Sequence, residues 1–319
     1  MTERILVLHD TPSDLTDLFA ERCADANVRF ATCPSEVGPA LDEHAPDAVL
    51  SIKHSGFPGE THRTAVMHPT VRWFHVGGSG FEHLGRWDPA RVTVTHSAGV
   101  LAPFLAEMTM AAMLSLRTRL PEYAVDQRQR VWRPRRFPAV RGQTLLVVGV
   151  GATGGEVATL AKALGMRVLG IRASGAPHPA VDDMRRPEAL SELLPLADVV
   201  SVHARAEPAT RGLIGASELA VMRPGSLFLN SSRGVIVDEA SLTSALTSGH
   251  LGGAWLDVFA VEPLPPTSPL WDMPNVLITP HCADQVDDFP RRFGQRFCDL
   301  RDGRTRGEPL PAVHPHPGT

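Results

Sequence analysis

Three short strings in the C-terminal half of this 319-residue chain carry side chains that together could do acid-base chemistry: NSSRGVIVD from Asn230, DVFAVEP from Asp257 and ITPH from Ile278. Each closes an apolar run that reads as a strand, so Arg233, Glu262 and His281 stand at predicted strand ends. In a doubly wound sheet those ends face the ligand crevice, where the three can converge. An imidazole gives or takes a proton near neutrality, and a carboxylate on its other nitrogen fixes the ring and raises its pKa. A guanidinium fork pairs with a carboxylate and polarises a neighbouring carbonyl. Singly, each has an ordinary explanation: a surface histidine among 14, a glutamate that starts a turn before Pro263, a loop cation before Gly234. The ordered set argues for a site.

A second constellation lies upstream. GVGATGG from Gly149 follows an apolar run and opens a helical stretch, giving Gly149, Gly151 and Gly154 the GxGxxG spacing, with Ala152 and Thr153 between them. Only glycine permits the tight turn and the close approach of backbone N–H groups to a pyrophosphate at a helix N-terminus. The motif alone is weak, but the strand-turn-helix setting makes it a dinucleotide site. About 20 residues on, where NAD sites carry an acidic side chain for the ribose hydroxyls, stand Arg172, Ala173 and Ser174. A guanidinium cannot accept hydroxyl hydrogen bonds but pairs with a 2′-phosphate, so NADP is expected over NAD. The missing carboxylate also argues against an S-adenosylmethionine methyltransferase. His203, Arg205, Ser232 and Asp257 complete the candidate cofactor contacts, although Asp257 and Asp238 fit better as supports of the Arg233 and Glu262 loops.

The elements that must position these groups alternate. RILVLHD, VRFATC and DAVLSI, with helical stretches between, form a βαβ pattern and hence a parallel sheet. Leu101 to Leu120 reads as one extended helix ended by Pro121. TLLVVGV, MRVLGI, ADVVSVH, GSLFLN, GGAWLDVF and NVLITPH then supply six buried strands of a doubly wound sheet. A helical stretch near Arg292 to Leu300 can return to the first domain.

Bulk properties exclude several classes. The chain is 43% hydrophobic and 21% charged, enough for two ordinary cores. The apolar start at MTERILVLHD is too short for a secretory signal, and the stretch from Leu145 to Ile171 is broken by glycines, Glu156, Lys162 and Arg167, so a cytoplasmic protein with no membrane contact is expected. Cys23, Cys33, Cys282 and Cys298 lack CxxC or metal-ligand spacing, and no metal is expected. A net charge of −4 gives no positive field for nucleic acid; the patch Arg128 to Arg136 reads as a solvated or subunit-facing loop.

In this order, the three C-terminal strings after GVGATG resemble the D-isomer-specific 2-hydroxyacid dehydrogenases, and TRGLIG from Thr210 is also similar to that family's pattern. The resemblance covers nearly the whole chain, and FHVGGSGFEHL through YAVDQRQRVW is most similar to the glyoxylate/hydroxypyruvate reductase branch. It implies two Rossmann-like α/β domains with a cleft between them: a flavodoxin-like substrate-binding domain, 1–97 plus 288–319, and a dinucleotide-binding domain, 98–287. It further implies hydride transfer between a nicotinamide and a small 2-oxo or 2-hydroxy acid, and a homodimer. Arg233 would hold the substrate carboxylate, His281 would exchange the proton, and Glu262 would orient the imidazole. The glycine-rich turn Gly77, Gly78, Ser79 and Gly80 resembles the family's substrate-carboxylate site, and Lys53, His54 or Trp132, the last from across a dimer, are candidates for selectivity.

Two strings depart from the pattern. Where the family reads HLPLTPET, this chain has HARAEPAT from His203, with Arg205 at the proline position, either adding to 2′-phosphate binding or, as favoured here, pairing with Glu207. TPHCADQVDD lacks the usual small-residue continuation after the histidine. Competing readings are a cofactor-sensing protein such as the family's corepressors, against which the Arg, Glu and His set speaks, and a dehydrogenase of another oxyanion such as phosphite. Formate oxidation is disfavoured because those relatives carry glutamine where Glu262 stands. Phosphoglycerate oxidation is expected less, since no regulatory domain follows residue 319, although short forms of those enzymes exist.

Overall fold

Parallel strands covered on both faces need near-continuous apolar runs, and the first hundred residues supply them. The elements are β1 (Arg4–Leu8), α1 (Ser13–Arg22), β2 (Asn27–Ala31), α2 (Pro34–His44), β3 (Ala48–Ile52), α3 (Gly59–Met67), β4 (Trp73–Gly77) and β5 (Thr93–His96). These five strands pair with one another in parallel, in the order β2-β1-β3-β4-β5, the flavodoxin-like order. Every residue of β3 and β4 is buried, and each large aliphatic side chain so placed contributes about 1.5–3 kcal/mol. The computed structural model describes residues 2–52, 57 and 59–315, and the chain divides into two units, Met1–Leu101 with Gln285–Thr319 and Ala102–Asp284.

The second unit begins with α4 (Ala102–Arg117) and α5 (Leu120–Gln129). The helix expected from Leu101 to Leu120 is α4, ending at Arg117, but a second helix follows at once, and Pro121 sits in its first turn instead of ending the first. The break is at Arg119, whose φ of 62° is left-handed. Proline is tolerated in a first turn because its missing N–H has no intrahelical partner there. Next come β6 (Thr144–Val148), α6 (Ala152–Ala163), β7 (Arg167–Ile171), β8 (Asp183–Arg185), α7 (Leu190–Leu193), β9 (Val199–Val202), α8 (Ala216–Val221), β10 (Leu227–Asn230), α9 (Glu239–Thr247), β11 (Gly253–Leu256) and β12 (Val276–Ile278). Among the described residues they form a seven-stranded parallel sheet, β12-β11-β10-β9-β6-β7-β8, where six strands were expected. The extra strand, β8, is a three-residue edge reading Asp-Met-Arg, too short and polar to carry a strand signature.

The closing helix α10 (Phe289–Thr305) belongs to the first unit. Phe297 stacks on Trp73 with centroids 4.4 Å apart. Gly294 lets α10 approach α1, since a Cβ there would lie 2.7 Å from Leu15 and 2.8 Å from Leu18. Arg301 donates to Glu3 at 2.7 Å and to Asp25 at 2.8 Å, tying the helix to the start of the chain.

Candidate active site

Arg233, Glu262 and His281 all leave the C-terminal ends of strands β10, β11 and β12, three neighbours in the second sheet. The first loop is shaped by Asn230, whose buried Oδ1 accepts the Ser232 N–H at 3.0 Å and the Ser232 hydroxyl at 2.9 Å, while its amide donates to the Arg233 carbonyl at 3.3 Å. Such Asx geometry turns the chain without a helix or strand ladder. Gly234 then packs directly on the β11 loop: a Cβ there would fall 1.9 Å from the Phe259 carbonyl oxygen, so no other residue fits without moving the backbone. The same loop is held from α9, where Glu239 accepts the Ala260 N–H at 2.9 Å.

Glu262 accepts the Phe259 N–H on Oε1 at 3.0 Å and bonds His281 Nδ1 through Oε2 at 2.7 Å. His281 has a φ of 51°. It is kept in this left-handed conformation by Asp257, which is buried; Oδ1 accepts from the Thr279 hydroxyl at 2.6 Å and the Cys282 N–H at 3.0 Å, and Oδ2 from the Ala283 N–H at 3.3 Å. Asp257 therefore braces the His281 loop, not those of Arg233 and Glu262. Asp238 caps α9 by accepting the Ser241 N–H at 2.9 Å.

The electrostatics follow from this arrangement. The hydrogen bond to Glu262 raises the His281 pKa above its ordinary value, against burial and the nearby charge of Arg233. Burial pushes the Glu262 carboxyl up, but the bonds from His281 and the Phe259 N–H, with the charges of His281 and Arg233, outweigh it and leave the carboxyl below its usual value. With Nδ1 taken by Glu262, Nε2 of His281 has no hydrogen-bond partner among the described residues. Asp284, which sequence reasoning passed over, shares this field; burial raises its carboxyl pKa, and the charges of His281 and Arg233 act in the opposite direction.

The glycine string forms the turn from β6 into α6. Gly149 has a φ of 101°, and a Cβ on it would lie 2.5 Å from the Ala204 nitrogen; one on Gly154 would lie 2.3 Å from the Gly149 carbonyl. Gly151 is the N-cap of α6, with no side-chain cap, and a Cβ there meets nothing within 4 Å. A helix start without a side-chain cap suits a dinucleotide pyrophosphate; Ala152 and Thr153 lie in that first turn. Arg172 follows β7, with its N–H on the Arg185 carbonyl at 3.0 Å, and the Ser174 hydroxyl oxygen accepts the Ala176 N–H at 3.2 Å. His203 directly follows β9, its ring bonded to Ser201 at 2.7 Å; burial pushes its pKa down to about 4.

Arg205 makes no ion pair with Glu207 among the described residues; the loop is closed instead by the Thr210 hydroxyl on the Arg205 carbonyl at 2.5 Å and the Glu207 N–H on Thr210 Oγ1 at 3.0 Å. Gly77 closes β4 and Gly78 to Gly80 form the turn after it in the first unit, where the Ser97 N–H reaches the Gly78 carbonyl at 2.9 Å and His96 Nδ1 lies 3.2 Å from the Ser79 carbonyl. Trp132 is 96% exposed. Lys53 and His54 lie outside the described residues. The arginine patch is partly neutralised: Arg135 pairs with Glu122 at 2.8 Å and with Asp126, which also lies 3.8 Å from Arg133. Asn230, Thr279 and Glu239 were missed as supports, although an asparagine closing a strand before two serines is a readable turn signal. Among the described residues no cluster of His, Cys, Asp or Glu could hold a metal ion, and no helix is long and apolar enough to cross a membrane.

A glycine turn into a helix and an imidazole-carboxylate pair beside a guanidinium, all at the C-terminal ends of one parallel sheet, are the apparatus of a dinucleotide-dependent oxidoreductase. Residues 110–283 match the family model described as D-isomer specific 2-hydroxyacid dehydrogenase, NAD binding domain. The chain belongs to the D-isomer specific 2-hydroxyacid dehydrogenases, a family of NAD(P)-dependent oxidoreductases. D-3-phosphoglycerate dehydrogenase of Escherichia coli K12 is 36% identical over 204 residues, 60% of this chain and 49% of the relative, so the chain spans about half that relative's length. Glyoxylate reductase of Korarchaeum cryptofilum is 29% identical over 280 residues, 82% of this chain and 80% of the relative. A D-isomer specific 2-hydroxyacid dehydrogenase family protein from Aeromonas salmonicida superposes with a TM-score of 0.88 at 29% identity over 98% of each chain. A D-isomer specific 2-hydroxyacid dehydrogenase from Xanthobacter autotrophicus, solved with NADPH and MES, gives 0.79 at 29% identity over 98% of each chain.

Proposed function

We propose that this chain is an NADPH-dependent reductase of small 2-oxo acids of the glyoxylate and hydroxypyruvate type, working in the cytoplasm as a homodimer. The observation that carries the reading is the His281–Glu262 bond at 2.7 Å, which leaves Nε2 without a hydrogen-bond partner among the described residues, within the electrostatic reach of Arg233. A bound nicotinamide supplies the hydride to the carbonyl carbon. Arg233 holds the substrate carboxylate and polarises the adjacent carbonyl, which strengthens as negative charge develops on its oxygen. His281 delivers the Nε2 proton to that oxygen and is reprotonated from solvent; in oxidation the neutral ring takes the proton back. Glu262 holds the ring and favours its charged form. The glycine turn of the first unit, with Lys53 and the partner-reaching Trp132, is assigned to the remaining substrate contacts.

Reduction needs protonated His281, so its rate is high below the imidazole pKa and falls as pH rises through it. Because Glu262 raises that pKa, Glu262→Gln is expected to move the falling limb of kcat/KM to lower pH while leaving the oxidation direction, which needs the neutral ring, less impaired near neutrality. Paired pH profiles in both directions check this, and a limb that stays in place contradicts the role of Glu262.

The cofactor preference rests on Arg172, which stands where NAD-binding relatives of the Rossmann type carry a carboxylate. Titration of the purified protein with NADPH and NADH is expected to favour NADPH, and Arg172→Asp to reverse the order; an unchanged ratio removes the assignment. The homodimer is supported by Leu120, Val125, Trp132 and Phe137, apolar side chains left exposed on α5 and the segment after it. The decisive assay follows the loss of reduced-nicotinamide absorbance against glyoxylate, hydroxypyruvate, pyruvate and phenylpyruvate.

A further inference from the structure

The turn that carries Arg172 is crossed by a second arginine from a different strand. Pairing of β7 with β8 sets Ile171 opposite Arg185, and it continues one step further through the Arg172 N–H on the Arg185 carbonyl at 3.0 Å. Arg186 therefore leaves the sheet beside the Arg172–Gly175 turn, which is closed by the Gly175 N–H on the Arg172 carbonyl at 2.9 Å. Its stem lies over Gly175, with Cγ 3.2 Å and Nε 3.3 Å from where a Cβ would stand, and Nη1 donates to the Ala173 carbonyl at 3.4 Å. The guanidinium is thus held on the turn with most of its donors unspent.

The charges nearby are distributed unevenly. Asp183 is engaged at both oxygens by Arg185, at 2.7 and 3.3 Å, and Asp182 is engaged by Lys162 at 2.6 Å and by the Val168 N–H at 2.8 Å. Glu188, two residues on, is exposed and does not pair with Arg186. Among the described residues neither Arg172 nor Arg186 has a carboxylate within ion-pair distance. Ser174 accepts the Ala176 N–H on its oxygen, which leaves the hydroxyl hydrogen to donate. The side chains on this turn are two cations and a hydroxyl donor, with no acid. Ribose hydroxyls need an acceptor, whereas a phosphate monoester needs only donors and positive charge.

We infer that Arg186 is the second arm of the 2′-phosphate site, gripping the monoester from β8 while Arg172 and Ser174 hold it from β7. This rests on the NADP reading proposed above, and the closing experiment separates the two. Binding of NADPH and of NADH is measured by calorimetry on the full chain for wild type, Arg186→Ala, Arg186→Lys and Arg172→Ala, with thermal melting to verify that each is folded. Arg186→Ala is expected to weaken NADPH about tenfold, the loss of one charge-assisted contact, with NADH unchanged and Arg186→Lys recovering part of the loss. If Arg172→Ala weakens NADPH and Arg186→Ala does not, the second arm is wrong and the NADP reading stands. Equal weakening of both cofactors by Arg186→Ala makes the residue a brace for the turn and likewise overturns the inference. If wild type binds both cofactors equally and Arg172→Ala changes neither, the NADP reading falls and the second arm with it.

Discussion

Replacing His281 with asparagine is expected to lower kcat for 2-oxo acid reduction about a thousandfold while leaving NADPH affinity as it was. Asparagine is the informative choice because position 281 has a φ of 51°, and asparagine enters the left-handed region more readily than most side chains. The loop can then keep its bonds to Asp257, from Thr279, Cys282 and Ala283. What is lost is the proton on Nε2. Without it, the oxygen that gains charge as hydride arrives must take its proton from water, and the fall of rate with rising pH disappears together with the group that caused it. Retained turnover in this variant, measured in the steady state with a good substrate, would require another proton donor and end the present mechanism.

Arg233→Ala is expected to reduce kcat/KM by about a thousandfold or more, because one guanidinium serves both the substrate carboxylate and the polarised carbonyl. Lysine at this position should recover only part of the loss: it restores the charge but not the planar fork. The variant also has a signature that a general loss of structure does not share. Arg233 lowers the His281 pKa through its charge, so its removal should carry the falling limb of reduction to higher pH, opposite to the shift expected of Glu262→Gln. A profile that moves to lower pH, or a KM that does not change, would place the substrate carboxylate elsewhere.

The residues of these experiments were readable because their signals are local. GVGATGG, NSSRGVIVD and ITPH each combine a strand end with a turn, and both the strand and the turn are encoded within a few neighbours. The buried strands were equally legible, since a sheet covered on both faces demands apolar runs such as the LLVV of β6. The helix break at Arg119 escaped because proline signals a boundary without saying on which side the helix lies. The seventh strand escaped because an edge of Asp-Met-Arg is held by its neighbour's backbone and not by its own side chains.

Sequence alone determined the family, the parallel sheets and the types of the reacting groups, all of which follow from order and composition along the chain. Tertiary structure decided how those groups are held. Asp257 bonds backbone and side-chain groups 22 to 26 residues away, Gly234 is required by a carbonyl from the next strand's loop, and Arg186 crosses a turn from which it is separated by more than ten residues. In each case the contact joins positions that the sheet brings side by side, and adjacency in a folded sheet leaves no mark in the residues that lie between them.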